Sequence, residues 1–219
     1  MIETPEIIYE DDCLFALDKP SGMDVEALQL WIKNNLKFSI SNSYELRNGL
    51  VHRLDKPTSG VILVAKTEEI FYALQRKFAD REIEKTYIAL AHGKIDPPVG
   101  EINAPVGRLP WKRTKFGVFD GGRSATTKYK VLKYFDEHTL VELYPKTGRT
   151  HQLRVHLKHI GHSIVSDPLY AGRKTLRSDL KLCPRLFLHA KSIEFIHPIA
   201  KKRIKIEAPL PSDLKLPYT

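Results

Sequence analysis

Strand-length stretches separated mostly by hairpin-sized connections dominate this 219-residue chain, and they constrain its fold more than any other feature. The clearest is Val61-Ile62-Leu63-Val64-Ala65, a continuous apolar run. The alternation in residues 6–18 predicts a hairpin of two short strands around Glu10-Asp11-Asp12. Further strands are expected at about 84–92, 124–134, 138–144, 186–196 and 203–207. Helical periodicity shows in three places. Val25, Leu28, Ile32 and Leu36 share a face behind Asp24 as N-cap. Ile70, Leu74 and Phe78 follow Thr67 as N-cap, with Glu68 and Glu69 in the first turn, on a helix reaching about Asp80. Leu153, Leu157 and Ile160 form a stripe on a helix from about Thr150 to Ile160, closed by Gly161. Strands outnumber helices, so the expected fold is α+β: a mixed, mainly antiparallel sheet with flanking helices, not a doubly wound parallel one. No repeat, low-complexity tract or Gly/Ser linker interrupts the pattern, and a single domain is expected over residues 1–219.

Composition excludes several classes. With 42% apolar and 28% charged residues the chain is neither disordered nor fibrous. No apolar run approaches the roughly 18 residues that span a bilayer, and the opening MIETPEIIYEDD lacks the basic and apolar regions of a signal peptide. Two cysteines, Cys13 and Cys183, make neither a disulfide framework nor a zinc site. A soluble, cytoplasmic, metal-free monomer is expected. The excess of 35 Lys/Arg over 26 Asp/Glu is unevenly placed. Residues 106–133 hold eight cations against Asp120, residues 146–162 four against none, and residues 173–205 ten against Asp179 and Glu194. Two readings fit such clustering: a polyanion-binding surface, or a solubilising one.

The densest group of reactive side chains is Asn48-Gly49-Leu50-Val51-His52-Arg53-Leu54-Asp55-Lys56-Pro57-Thr58-Ser59-Gly60, immediately before the apolar strand. Loops of this kind on a rigid strand are where active sites tend to sit. Asp55 is the only acid between Glu45 and Glu68. The cations around it favour an ionised carboxylate serving as nucleophile or base; a carboxylate capping the turn before Pro57 and Gly60 is the plainer reading of the loop taken alone. A kinase catalytic loop is excluded, because Leu54 interrupts His-Arg-Asp and no Gly-rich loop precedes it. Ser59 is not in a G-x-S-x-G elbow, which excludes that class of hydrolase.

His52-Arg53-Leu54-Asp55 with Thr58-Ser59-Gly60 resembles the catalytic motif of the RluA-like pseudouridine synthases. Other blocks follow in the family's order. Leu17-Asp18-Lys19-Pro20-Ser21-Gly22 resembles its N-terminal motif, and Lys85-Thr86-Tyr87 the strand bearing its active-site tyrosine. Thr147-Gly148-Arg149-Thr150-His151-Gln152-Leu153-Arg154-Val155-His156 is similar to its most recognisable later motif, with Asp167-Pro168-Leu169-Tyr170 and Arg185-Leu186-Phe187-Leu188-His189-Ala190 beyond. Two departures stand out. The first motif begins at residue 17, leaving no room for the small RNA-binding domain that opens many relatives. Met23-Asp24-Val25-Glu26 stands where relatives usually continue into a His-Pro segment.

The resemblance implies an isomerase acting on ribosomal or transfer RNA, with no cofactor, no metal and no membrane partner. It implies Asp55 as the essential carboxylate, Arg154 as its cationic partner, and Tyr87 as the ring that stacks on the target base. Arg154 lies off the Leu153/Leu157/Ile160 stripe, so a phosphate contact is the alternative role for it. Arg53 is the residue implied to fill the space left by a flipped base. His52, Thr58, Lys85, Arg149 and His151 are expected to contact RNA or base, and Leu186 and Phe187 to floor the uracil pocket. His151, His156, His159 and His162 lack the spacing of a zinc site.

Overall fold

The computed structural model describes residues 4–37, 47–110, 112, 115–214 and 216. Arg113, in the basic segment 106–133, lies outside the described residues. The chain divides into two compact units, neither of them a contiguous stretch. Unit 1 comprises Met1–Lys85 with Ala190–Pro209, and unit 2 comprises Thr86–His189 with Leu210–Thr219.

Unit 1 opens with the expected hairpin, β1 (Glu6–Glu10) against β2 (Leu14–Lys19). Asp11 makes its turn: Oδ1 accepts the N–H groups of Cys13 and Leu14 at 2.7 and 2.9 Å. Helix α1 (Val25–Asn35) is capped by Asp24, whose Oδ1 accepts from Ala27 N–H at 3.0 Å. A 3₁₀ turn at Arg47–Gly49 leads toward β3 (Ser59–Ala65), all seven residues of which are buried. Helix α2 (Glu68–Ala79) starts on the Thr67 cap and buries Ile70, Phe71 and Leu74. These pack with Leu14, Ala16, Leu63 and Ala65 of β2 and β3. The strand order is β1-β2-β3-β10, with β10 (Leu188–Ile196) also pairing β11 (Arg203–Glu207). Gly60, at the start of β3, has φ +113, and a Cβ there would lie 2.2 Å from the Ala190 carbonyl oxygen. Only glycine lets the two strands approach this closely.

Unit 2 carries β4 (Glu84–His92) from Thr86 onward, β5 (Val99–Asn103), β8 (Thr126–Tyr134) and β9 (His138–Pro145) in the order β4-β9-β8-β5, each ladder antiparallel. A separate two-stranded ribbon pairs β6 (Val106–Arg108) with β7 (Phe116–Val118). Helices α3 (Gln152–His159) and α4 (Arg173–Leu182) complete it. The expected α+β class, with a mainly antiparallel sheet and helices, is what forms. β5, the β6–β7 ribbon and α4 add to the expected elements, and β10 begins only at Leu188, so Leu186 and Phe187 precede the strand expected to hold them. Among the described residues no helix is long and apolar enough to cross a membrane.

Helix α3 departs from the expected amphipathic helix. Gln152 through Leu157 are all buried, Arg154 and His156 included. Such a helix needs internal partners for its polar side chains. Gln152 Oε1 accepts from Thr147 Oγ1 and Arg149 N–H at 2.7 and 3.0 Å, while its Nε2 donates to Thr126 O and Thr127 Oγ1, each at 3.0 Å. His156 Nε2 faces the Ala104 carbonyl at 3.0 Å and so carries its proton, leaving Nδ1 to accept from Thr127 Oγ1 at 2.9 Å. Burial holds the His156 pKa below its ordinary value, which keeps this ring neutral.

Candidate active site

In unit 1 the loop from His52 to Gly60 is clasped from one side by the Lys19–Met23 segment. Lys19 is buried, and its ammonium donates to the carbonyls of Pro20, Met23 and Lys56 at 2.7, 3.0 and 3.4 Å. Ser21 Oγ donates to Pro57 O at 2.8 Å, and Gly22 N–H to Lys56 O at 2.8 Å. Thr58 N–H donates to Asp55 O at 3.0 Å, closing a turn over Lys56-Pro57. The half-buried Asp55 is thus presented by a backbone fixed at several points. Thr58 is buried, and its Oγ1 has no hydrogen-bond partner among the described residues. An unsatisfied buried hydroxyl costs about 1–3 kcal/mol, and it is a group that a bound ligand can satisfy.

His52 is fixed from below. Its Nε2 accepts the Leu63 N–H of β3 at 2.9 Å, and its ring lies on Phe78 with centroids 4.8 Å apart. Burial, and then the nearby Lys85 charge, push its pKa from 6.5 down to about 3, although part of the residue's surface remains open. Lys85 itself sits 6.0 Å over the Phe78 ring. Arg53 is exposed.

Unit 2 gathers the later motif around Tyr170. Arg154 Nε and Nη2 donate to Asp167 Oδ2 and Oδ1 at 2.8 Å each, and both side chains are buried. The guanidinium carbon lies 5.1 Å from the centre of the Tyr170 ring. Asp167 Oδ1 also accepts the N–H groups of Leu169 and Tyr170 at 2.9 and 3.1 Å. His151 has a left-handed backbone, φ 57, and its Nδ1 lies 2.9 Å from Tyr170 Oη. Phe116 of β7 meets the His151 ring edge-on at 5.3 Å. Lys115 donates to Leu169 O and stands 5.8 Å from the Tyr170 ring centre. Arg149 Nε donates to Ser124 O at 3.2 Å. Tyr87, half-buried, is opposite Leu143 in the β4–β9 ladder. Leu186 and Phe187 are buried just before β10, where Phe187 exchanges backbone bonds with Val165 and Leu90 at 3.1 and 3.3 Å.

Of the residues singled out in the sequence, unit 1 therefore brings together His52, Arg53, Asp55, Thr58 and Lys85, and unit 2 brings together Arg149, His151 and Arg154. Sequence reasoning gave no role to Lys19, Gln152, Asp167 or Tyr170, although all four lie inside the motifs it quoted. A buried polar side chain in such a motif is the signal that could have found them. One further group, Asp11, Cys13 and His197 in unit 1, has ligand atoms within 4.8 Å of one another. Its donor set does not suit a metal. His197 Nδ1 accepts from Ile199 and Ala200 N–H at 3.3 and 2.9 Å, so Nε2 holds the ring proton, 3.0 Å from Asp11 Oδ2.

Residues 14–159 match the family described as RNA pseudouridylate synthase. The chain belongs to that family. Members with curated descriptions are similar over nearly the whole chain. The ribosomal large subunit pseudouridine synthase D of Pseudomonas aeruginosa is 39% identical, across 95% of this chain and 69% of the relative. That of Nitrosomonas europaea is 40% identical, across 95% of this chain and 63% of the relative. The chain thus spans about two thirds of the length of these relatives. Among solved structures, human RNA pseudouridylate synthase domain containing 1 superimposes with a TM-score of 0.79 at 26% identity, over 95% of this chain and 84% of that one. Human RNA pseudouridylate synthase domain containing 4 gives 0.74 at 25% identity, over 95% and 89%. This RNA pseudouridine synthase is accordingly an isomerase.

Proposed function

We propose that this pseudouridine synthase acts on a specific uridine in structured ribosomal or transfer RNA, with Asp55 as its essential carboxylate and the target base flipped out of its stack. The observation that carries the reading is the Asp55 loop. A carboxylate stands at the family's motif position on a backbone clasped by Lys19, Ser21 and Gly22. Relatives described as ribosomal large subunit enzymes favour ribosomal RNA. The reaction balances within the substrate. The N1–C1′ bond breaks, a C5–C1′ bond forms, hydrogen leaves C5 and a proton is gained at N1. No oxidant or group donor is consumed.

Flipping follows from access, since the glycosidic bond is unreachable within a stacked helix. In this reading Tyr87 stacks on the extruded base, an interaction worth about 1–3 kcal/mol. Arg154 sustains the charge of Asp55, and Arg53 fills the gap left in the RNA. His52, Thr58, Lys85, Arg149 and His151 hold RNA or base, and Leu186 and Phe187 floor the uracil pocket.

The test uses RNA carrying tritium at uracil C5. Wild type should release tritium with the RNA mass unchanged, whereas a glycoside hydrolase would liberate free base and a passive binder would release nothing. Asp55→Asn should abolish release while RNA affinity stays within a few-fold. Turnover of that variant within about tenfold of wild type, or 1.4 kcal/mol in the barrier, would remove Asp55 from the chemistry.

A further inference from the structure

Tyr170 of unit 2 is a buried tyrosine whose hydroxyl joins two separate elements. It closes the Asp167-Pro168-Leu169-Tyr170 segment, which belongs to no strand or helix. Its ring packs with Val106, Ala125 and Val155. Its N–H donates to Asp167 Oδ1 at 3.1 Å. The Arg154 guanidinium carbon and the Lys115 ammonium stand 5.1 and 5.8 Å from the ring centre, distances at which a cation is drawn to an aromatic face. The ring is held by backbone, core and charge together.

The hydroxyl is held as well. Phe116 N–H, on β7, donates to Tyr170 Oη at 3.3 Å. An oxygen that accepts there still has its own proton to give, and His151 Nδ1 lies 2.9 Å away. With the Phe116 amide on the oxygen, the Tyr170 proton runs to Nδ1. The ring proton of His151 is then on Nε2, because the bond made by one imidazole nitrogen decides the state of the other.

His151 is an unusual residue on its own account. It occupies the N-cap position of α3 with a left-handed backbone, φ 57. A side chain at an N-cap usually accepts from a free amide of the first turn, but that of His151 makes no such bond. Its half-buried ring is set instead against two others. It meets Phe116 with centroids 5.3 Å apart and Tyr170 at 5.8 Å, with interplanar angles of 62° and 84°. A left-handed residue other than glycine is uncommon and persists where its surroundings over-determine it. Here the surroundings fix the ring and leave the helix start uncapped by it.

We infer that Tyr170 is a positioning residue. Through its hydroxyl it sets the orientation and tautomer of His151, so that Nε2–H is presented as a neutral donor to an acceptor oxygen of the RNA. The inference rests on the RNA contact given to His151 above and names what prepares that contact. The donor is neutral because a doubly protonated ring would turn Nδ1 from acceptor into donor, and the Tyr170 hydroxyl would have to send its proton elsewhere.

The test has two arms. In the RNA-free full chain at neutral pH, imidazole nitrogen resonances should show His151 protonated at Nε2, with Nδ1 accepting. Tyr170→Phe keeps the ring and deletes the hydroxyl. It should move the Nδ1 resonance and let the other tautomer appear. In single-turnover assays the same variant should raise the RNA concentration for half-maximal rate about three- to tenfold, the worth of one neutral hydrogen bond. The rate at saturating RNA should stay within about twofold of wild type. His151→Asn tolerates the left-handed backbone while removing Nε2, and should have the same effect with an unchanged salt slope. The double variant should be no worse than either single one, since Tyr170 acts only through His151. A Tyr170 that matters for packing alone would lower thermal stability and leave the half-saturating concentration where it was, which would overturn the inference. So would a wild-type His151 protonated at Nδ1, penalties that multiply in the double variant, or a salt slope reduced by about 0.7–0.9 in His151→Asn, the mark of an imidazolium on phosphate. An active Asp55→Asn variant would defeat the catalytic reading and leave the Tyr170–His151 results standing. Failure of the spectra or of the double variant would leave Asp55 untouched.

Discussion

Arg154 and Asp167 form a bidentate ion pair in which neither side chain reaches solvent, with both N–H···O distances at 2.8 Å. A buried pair of this kind adds little net stability compared with apolar residues, yet losing one partner strands a charge. Asp167→Asn keeps an oxygen for the Leu169 and Tyr170 N–H groups but removes the counter-charge. It should lower unfolding stability by about 3–5 kcal/mol, read from a shifted denaturant midpoint at constant slope. Arg154→Met with Asp167→Leu should recover part of that loss. A single Asp167→Asn variant within about 1 kcal/mol of wild type would show that Arg154 does not depend on this carboxylate.

His52 gives unit 1 a defined acid sensitivity. Its folded pKa, about 3, lies below the ordinary 6.5, so the unfolded chain binds the proton more readily across that interval. Its contribution is complete above pH 6.5 and is lost progressively as pH falls toward 3. His52→Gln can still accept the Leu63 N–H but does not titrate. Its stability should fall less steeply than wild type between those two values. Parallel curves would mean that the ring is protonated in the folded state.

Lys19 is expected to matter through the backbone it gathers. Lys19→Met preserves length and apolar stem while deleting the donors to Pro20, Met23 and Lys56. Each lost bond to a charged group is worth about 1.5–3 kcal/mol where buried. The single-turnover isomerisation rate should fall while RNA affinity moves only a few-fold. Loss of affinity at full rate would instead make Lys19 part of the RNA-binding surface.

Two neighbouring lysines should separate by their attachments. Lys112 is exposed, whereas Lys115 is tied to Leu169 O and the Tyr170 ring. Lys112→Ala should reduce the slope of log affinity against log salt by roughly 0.7–0.9, as one released counterion predicts, with thermal stability unchanged. Lys115→Ala should lower the melting temperature as well. Arg113 belongs to the same segment and should follow Lys112 if it meets phosphate. A salt slope indifferent to Lys112 would make the segment a solvated surface.

The sequence was most legible where one residue decides one local geometry. Asp24 and Thr67 start their helices because a short oxygen-bearing side chain caps a free amide, and both caps form as expected. The buried β3 was visible as an unbroken apolar run. The ribbon β6–β7 was not, because strands of three residues are too short to show a period. Helix α4 escaped for another reason. Its sequence is mostly polar, its N-cap is Gly172 without a side-chain bond, and its only buried residue is Asp179. In the site, Asp55 and its loop were legible as a local motif. The Arg154–Asp167 pair was not: a stripe argument turns Arg154 outward, whereas the whole start of α3 is buried and its charge is met thirteen positions along the chain.

The contact between Gly60 and Ala190 bears on the order in which the protein is made. The end of the Asp55 loop is braced by a strand synthesised 130 residues later than the glycine that receives it. Domains tend to fold as they leave the ribosome, yet unit 1 includes Ala190–Pro209 and lacks β10 and β11 until those residues emerge. A nascent chain holding every residue from His52 to Gly60 would still present them on an open sheet edge. Completion of that edge is then a late event in biosynthesis, waiting on residues that follow the loop by more than a hundred positions.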